Sequence, residues 1–238
     1  MKSKDLKKLN LIAKKMRRIV STTIIGAGKG HIGGALSCMD ILVALYFGKV
    51  LNINPKNSNL DSRDRFLFSK GHASISLYAI LSELGFFSKK ELKKFNKANG
   101  KIAEHPDTRL PGIEVVSGSL GHGLGIGSGI AFAKKIDGKN DTNVVVLMGD
   151  GECYEGSVWE AAMFANHHNL DNLIAIVDRN NLTVLDFTEN IIKLNPFKEK
   201  WLSFGWNVLE ADGHNIKELQ KKINYFKKLR NGKPCILI

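Results

Sequence analysis

The stretch that decides the fold is residues 144–181, which reads VVVLMGDGECYEGSVWEAAMFANHHNLDNLIAIVDRNN. Its two apolar runs, 144–148 and 173–177, are typical of buried strands, and a helical pattern lies between them. Asp150 follows the first run and Asn180 follows the second, 30 positions later. Because parallel strands end at one edge of a sheet, where ligands bind, we expect both side chains at that edge. Their carboxylate and amide oxygens suit Mg²⁺ or Ca²⁺, and a diphosphate bridged by the cation.

Strand-like and helix-like segments alternate along the rest of the chain. This order predicts an α/β fold with three layers, in which a mostly parallel sheet has helices on both faces. We expect residues 1–238 to form a single domain. Glycine-rich or irregular loops are predicted at 26–34 and 103–117. Helices are predicted at 6–25, 36–47, 73–84, 89–96, 157–168 and 216–229, and a further apolar helix is predicted to end near 135. The other predicted strands are 65–69, 206–210 and 234–238.

Composition narrows the class of protein. Hydrophobic residues make up 43% of the chain, and no apolar run approaches the length of a membrane-spanning helix. The net charge of +12 would allow nucleic-acid binding, but no nucleic-acid motif or interleaved aromatic pattern accompanies it. We therefore expect a cytoplasmic protein with a solvated basic surface, which binds neither nucleic acid nor membrane. The three cysteines lack the spacing of a zinc site and are expected to be reduced thiols.

The segment 149–161, GDGECYEGSVWEA, together with Asn180 thirty positions after its Asp, resembles the transketolase branch of the thiamine-diphosphate enzymes. The resemblance implies the thiamine-diphosphate-binding fold, in its diphosphate-binding (PP) form. It implies thiamine diphosphate and Mg²⁺ (or Ca²⁺) as cofactors. The implied metal ligands are the side chains of Asp150 and Asn180 and the backbone carbonyl of Leu182. The amide of Gly151 would face the phosphates, where glycine allows close approach of the backbone.

Further cofactor contacts follow from the same resemblance. Residues 117–123, SGSLGHG, are similar to the Gly-x-Leu-Gly-x-Gly loop of transketolases, so Gly118 and Leu120 would contact the cofactor. Asn180 would contact it as well as the metal. Glu155 would belong to a polar network at the subunit interface, and Val184 would pack against the cofactor. The residues after Val184 depart from the family, because Leu-Asp-Phe stands where Asp-Gly is usual.

Three histidines, His31, His72 and His105, stand in loops that match transketolase active-site positions. By resemblance, His31 and His105 hydrogen-bond the substrate hydroxyls and the enediolate, and His72 contacts both the diphosphate and the reaction centre. Imidazole suits this chemistry, since at neutral pH it donates or accepts a proton as the sugar carbonyl becomes an alkoxide.

The resemblance covers only the diphosphate-binding half of a transketolase. The pyrimidine-binding domain, with the Glu that activates the cofactor, is expected on a separate chain, and the sequence is either a short first subunit or a truncated protein. The expected function is transfer of a two-carbon ketol unit from a ketose phosphate to an aldose, in a homodimer or heterotetramer. Open alternatives are the equivalent half of a deoxyxylulose-phosphate-synthase-like enzyme, a non-catalytic assembly subunit, and nucleic-acid binding through net charge.

Overall fold

A computed structural model describes residues 3–139 and 141–238 of the chain. The chain divides into two compact units, each built from three separate segments. The first unit comprises Met1–Arg63, Gly71–Gly118 and Asp212–Lys221, and the second comprises Asp64–Lys70, Ser119–Ala211 and Lys222–Ile238. That the whole chain acts as one domain stays a prediction.

The first unit is helical. Its α-helices are α1 (Ser3–Ala27), α2 (Ile32–Ser37), α3 (Met39–Tyr46) and α4 (Ser74–Leu84), with 3-10 helices at Gly71–Ala73 and Lys89–Lys94. The residues that α1 buries recur every three or four positions, at Leu9, Ala13, Met16, Val20 and Ile24. This spacing places them on one side of the helix. The long helix predicted from the apolar spacing is therefore confirmed.

Three expectations for this unit were wrong in detail. The glycine-rich loop 26–34 is shorter than predicted, because α1 continues to Ala27 and Gly33 and Gly34 already belong to α2. The helix predicted at 36–47 is interrupted at Cys38, whose φ of −80° and ψ of 4° are not helical. The charged segment after Ser88 is a 3-10 helix that ends at Lys94; Leu92 within it and Phe95 just after it are buried.

The second unit contains a five-stranded sheet. Its strands are β1 (Arg65–Phe68), β2 (Val144–Gly149), β3 (Leu173–Asp178), β4 (Asn207–Leu209) and β5 (Cys235–Leu237), in the spatial order β1-β2-β3-β5-β4. Every neighbouring pair is parallel. All six residues of β3 are buried, which explains why this strand reads as an unbroken apolar run. The predicted α/β class with a parallel sheet is confirmed.

Helices connect the strands of the second unit. They are α5 (His122–Ile136), α6 (Gly156–His167), α7 (Thr188–Ile191) and α8 (Phe197–Ser203), with a 3-10 helix at Gly151–Tyr154, and α9 (Ile216–Lys228) has residues in both units. Helix α5 packs tightly on β2, since a Cβ at Gly127 would lie 2.5 Å from Cγ2 of Val146. Helices α7 and α8 were not predicted from the sequence.

In the described ranges, no helix combines the length and the apolar character that crossing a bilayer requires.

Candidate functional site

Asp150 follows the last residue of β2 and is 2% exposed. Its carboxylate accepts hydrogen bonds from the backbone N–H of Gly151 at 3.0 Å and of Asn181 at 2.7 Å. Burial raises the pKa of this carboxyl group, and the two backbone hydrogen bonds oppose that rise. A bound cation would favour the ionised form of such a buried carboxylate, so Asp150 fits the predicted metal ligand.

Asn180 lies just past β3, at the same edge of the sheet, because Gly149 pairs with Asp178 in the register of β2 and β3. Its side chain is half-buried, and Oδ1 accepts a hydrogen bond from the N–H of Leu182 at 3.0 Å. This is an Asx-type turn, which fixes the amide oxygen locally. An amide oxygen carries two lone pairs, so Oδ1 keeps one acceptor site beside this hydrogen bond.

The segment after Asn180 forms a tight loop. The N–H of Thr188 donates to the carbonyl of Asn181 at 3.0 Å, which closes the loop at its base. Leu182 is 53% exposed and Val184 is 90% exposed. The structure therefore places the predicted backbone ligand and the predicted apolar contact on an exposed loop that begins at the sheet edge.

In the part of the chain that the structure describes, no three His, Cys, Asp or Glu side chains are grouped to hold a metal ion. The predicted ligand set contains a single side chain of these types, Asp150, and otherwise uses amide and carbonyl oxygens. Hard oxygen donors of this kind suit Mg²⁺, which commonly takes one or two carboxylates and the phosphates of its ligand.

Glu152 is a buried carboxylate that the sequence motifs did not assign to the site. It is 2% exposed, and its Oε1 accepts hydrogen bonds from the hydroxyl of Ser69 and from the N–H of Gly121 at 3.0 Å. Its Oε2 accepts one from the N–H of Gly149 at 3.2 Å. Burial raises its pKa, and these hydrogen bonds oppose the rise. Glu152 thereby joins the ends of β1 and β2 to the residue that precedes α5.

A second buried charge lies among the same strand ends. Nζ of Lys70 is 2.5 Å from a carboxylate oxygen of Asp178, and these side chains are 1% and 8% exposed. Lys70 comes two positions after β1, and Asp178 is the last residue of β3. The ion pair therefore bridges the carboxyl ends of two strands that are not neighbours in the sheet.

Position 121 requires glycine, because a side chain here would be both strained and obstructed. Its φ is +83°, and a Cβ here would lie 2.5 Å from Cβ of Glu155. Its carbonyl also accepts a hydrogen bond from the hydroxyl of Ser157 at 3.0 Å. These contacts fix the entrance of α5 against the start of α6. Glu155 itself is exposed and precedes α6, and Leu120 is half-buried.

His31 and His72 lie together in the first unit. Their ring centroids are 5.5 Å apart, with the planes at 66°. His31 precedes α2, and its Nδ1 lies 3.0 Å from Oε1 of Glu104. A Cβ at Gly34, in the first turn of α2, would lie 3.1 Å from Nε2 of His72, so glycine lets the backbone approach that ring.

His105 belongs to the same unit and follows Glu104 directly. Its ring is exposed, while its carbonyl accepts a hydrogen bond from the buried hydroxyl of Tyr78 at 2.8 Å. Burial raises the pKa of that Tyr78 hydroxyl, which keeps it protonated as a donor. A Cβ at Gly118 would lie 3.2 Å from Cδ2 of His105. The structure thus brings all three predicted histidines into one unit, with Gly118 against one of them.

Known proteins resemble the chain along almost its whole length. The family described as the transketolase thiamine diphosphate binding domain matches residues 9–238. A subunit of an apulose-4-phosphate transketolase from Phocaeicola vulgatus is 42% identical over 97% of this chain and 81% of its own length. A 6-deoxy-6-sulfo-D-fructose transketolase subunit from a Clostridium species is 38% identical over 94% of this chain and 80% of its own.

Solved structures agree with the sequence matches. The transketolase of Campylobacter jejuni superposes with a TM-score of 0.91 at 33% identity, over all of this chain and 38% of its own. The transketolase of Leishmania mexicana gives a TM-score of 0.90 at 26% identity, and the chain spans 36% of it. The chain therefore covers little more than a third of these solved transketolases. It belongs to the family of transketolase thiamine-diphosphate-binding domains, and the expected fold is confirmed.

Proposed function

We propose that the chain is the diphosphate- and Mg²⁺-binding subunit of a split transketolase. It would transfer a two-carbon ketol unit from a ketose phosphate to an aldose, together with a partner chain that carries the pyrimidine-binding domain. The observation that carries the proposal is the buried carboxylate of Asp150, held by two backbone amides at the sheet edge where Asn180 also lies.

The proposed metal ligands are the side chains of Asp150 and Asn180 and the carbonyl of Leu182. Their oxygens match the preference of Mg²⁺, or of the larger Ca²⁺. Thiamine diphosphate, when bound, supplies the stabilisation of the carbanion on which ketol transfer depends. The residues proposed to hold it, by the family resemblance, are Gly118, Leu120, Gly151, Glu155, Asn180, Val184 and His72.

The three histidines are proposed to handle protons on the sugar. His31 and His105 would donate to or accept from substrate hydroxyls, and His72 would act near the reacting carbon and the diphosphate. A neutral imidazole has one donor and one acceptor nitrogen, so it can stabilise an oxygen whose charge changes during transfer. The contact between the rings of His31 and His72, and the presence of His105 in the same unit, support a role for all three in one site.

The relatives support a partner chain and an anionic sugar. The compounds in the names of two relatives, apulose-4-phosphate and 6-deoxy-6-sulfo-D-fructose, each carry a negatively charged group. The net charge of +12 favours such a substrate. Both relatives are named as subunits, which supports a partner chain. The proposed assembly is a homodimer of this chain or a heterotetramer with the partner. We also place the enzyme in the cytoplasm, because its cysteines are buried thiols.

A transfer assay on the assembled enzyme tests the function. The chain is mixed with its pyrimidine-binding partner, Mg²⁺ and thiamine diphosphate, and a ketose phosphate donor is compared with pyruvate as donor. We expect transfer from the ketose to an aldose acceptor, and none from pyruvate. The proposal is wrong if a complex saturated with cofactor transfers no ketol unit, or if pyruvate is the better donor.

A further inference from the structure

We propose that Glu104 is a positioning residue for His31. Its carboxylate holds the proton of the imidazole on Nδ1 and so leaves Nε2 as the nitrogen that meets the substrate. The inference rests on the proposed function, in which His31 contacts a sugar hydroxyl, and it adds a residue that neither the sequence motifs nor the resemblance assigned.

The contact between the two side chains is the basis for assigning the position of the proton. Nδ1 of His31 lies 3.0 Å from Oε1 of Glu104, and the side chains are 44% and 31% exposed. An ionised carboxylate can only accept, so a hydrogen bond between these atoms requires the proton to lie on Nδ1. The tautomer of a histidine is set in this way by the partner of its other nitrogen.

Glu104 is held in place by two buried residues of α4. The hydroxyl of Ser74 donates to the carbonyl of Glu104 at 2.5 Å, and the hydroxyl of Tyr78 donates to the carbonyl of His105 at 2.8 Å. Ser74 and Tyr78 are both 0% exposed and stand four positions apart, hence on the same face of the helix. The loop that carries Glu104 is therefore anchored at two consecutive carbonyls.

A second imidazole lies beside the His31 ring. The ring of His72 approaches it edge to face, with centroids 5.5 Å apart. Among the described residues, the titratable groups shown against His31 are thus the Glu104 carboxylate and the His72 ring. These two neighbours restrict the orientations open to the imidazole, which favours a group that must meet a sugar hydroxyl.

The arrangement has a simple chemical consequence. With its proton held on Nδ1, His31 presents the lone pair of Nε2, which accepts a hydrogen bond or the proton of a hydroxyl. When the proton moves from the hydroxyl oxygen to Nε2, the carboxylate of Glu104 stabilises the imidazolium that forms. The reverse transfer returns the proton to the oxygen, so no other reactant is needed.

If the Glu104–His31 pair mainly supported the fold, its removal would lower the thermal midpoint of the chain. Exposed ion pairs such as this one add little to the free energy of unfolding. Removing the Glu104 carboxylate should therefore leave the thermal midpoint of the chain nearly unchanged, while it alters the tautomer of His31. This contrast separates positioning from support of the fold.

Nitrogen-15 NMR of the full chain tests the tautomer without any need for activity. We compare wild type, Glu104→Ala and Glu104→Gln at a pH where the imidazole is neutral, and assign the His31 signals with His31→Asn. We expect the proton on Nδ1 in the wild type, a shift to Nε2 in Glu104→Ala, and recovery of the Nδ1 form in Glu104→Gln, whose amide oxygen still accepts. The proposal is overturned if wild type and Glu104→Ala show the same tautomer.

Kinetics of the assembled enzyme give a second readout. Glu104→Ala should lower kcat/KM by about tenfold, a modest share of what a general acid–base group contributes. The affinity for thiamine diphosphate should not change, and Glu104→Gln should restore most of the activity. Glu83→Gln is the matched control, because Glu83 is a carboxylate of the same unit that pairs with Lys15 and Lys89. Wild-type kcat/KM in Glu104→Ala would overturn the proposal.

The two proposals can fail separately. If the wild-type complex transfers no ketol unit while the NMR result holds, the proposed function is wrong but the coupling of Glu104 to His31 stands. If transfer occurs and the tautomer is unaffected by Glu104→Ala, the function stands and the positioning role falls.

Discussion

Replacing Glu152 by Gln should lower the free energy of unfolding, because Glu152 holds together the strand ends that carry the proposed metal site. Three donors converge on the Glu152 carboxylate: the Ser69 hydroxyl and the backbone N–H groups of Gly121 and Gly149. A Gln side chain of the same shape offers one acceptor oxygen and one NH₂ group. If its oxygen keeps Ser69 and Gly121, its NH₂ group must face the N–H of Gly149, and two donors then oppose each other.

The size of the effect follows from these contacts. A hydrogen bond to a charged group is worth about 1.5–3 kcal/mol, and the donor left unpaired at Gly149 adds its desolvation cost. Removing a buried charge raises the free energy of unfolding and so offsets part of this loss, because burial disfavours the ionised form of Glu152 and raises its pKa. We expect a net loss of about 1–2 kcal/mol at neutral pH. At about 3 °C per kcal/mol for a chain of this size, the thermal midpoint falls by about 3–6 °C.

The pH dependence has a definite sign. The pKa of Glu152 is raised in the folded protein above its ordinary value of 4.5. Its contribution to stability is therefore fully present below that ordinary value, and it is lost as the pH rises through the folded pKa. The variant lacks this titration, so the stability difference between wild type and Glu152→Gln should shrink as the pH rises from acid towards neutral.

Thermal and urea unfolding at several pH values measure both effects. Glu160→Gln is the matched control, since Glu160 is an exposed glutamate of α6 in the same unit. A Glu152→Gln protein as stable as this control would refute the reasoning, and so would a stability difference that grows with pH.

Three further outcomes are expected. Asp150→Ala should abolish Mg²⁺-dependent binding of thiamine diphosphate in the assembled enzyme, as measured by calorimetry. The control Asp137→Ala, which removes an exposed carboxylate, should leave that binding unchanged. Unchanged affinity in Asp150→Ala would remove Asp150 from the site. Gly121→Ala should cost about 2–4 kcal/mol of unfolding free energy, because φ is +83° and the new Cβ would clash with Glu155. Gly125→Ala, with open space among the described residues, should be neutral or stabilising, and equal stabilities would contradict the clash. The purified chain alone should show negligible ketol transfer, and turnover without the partner would disprove the dependence on a second chain.

The sequence was sufficient to predict the sheet and the edge where ligands are proposed to bind. Strands β2 and β3 are buried along nearly all of their length, so each reads as an apolar run whatever its neighbours are. Their parallel register brings Asp150 and Asn180 to one edge, as the spacing predicted. Local patterns sufficed here because a strand that is buried on both faces is apolar at nearly every position, and such a run is visible in the sequence.

Local patterns failed where distant contacts decide the structure. Glu152 meets Ser69, which is 83 positions away, and His31 meets Glu104, which stands on a separate loop. Neither pairing leaves a periodic signal in the sequence. The only available hints were that Glu104 precedes a motif histidine and that Glu152 follows the motif aspartate by two positions.

Short helices were missed for a related reason. Helix α8 has seven residues and buries Phe197 and Trp201, a single apolar pair four positions apart. One such pair is too little to define a helical period. The interruption at Cys38 was missed because the apolar pattern runs on across it, although the backbone there leaves the helical region.

The central claim is that a divalent cation binds at the carboxyl ends of β2 and β3. A crystal structure of the assembled enzyme with thiamine diphosphate and Mg²⁺ measures this directly. We predict a cation about 2.1 Å from a carboxylate oxygen of Asp150, Oδ1 of Asn180 and the carbonyl oxygen of Leu182. A bound cofactor whose cation lies elsewhere, with these three oxygens turned away from it, would contradict the account.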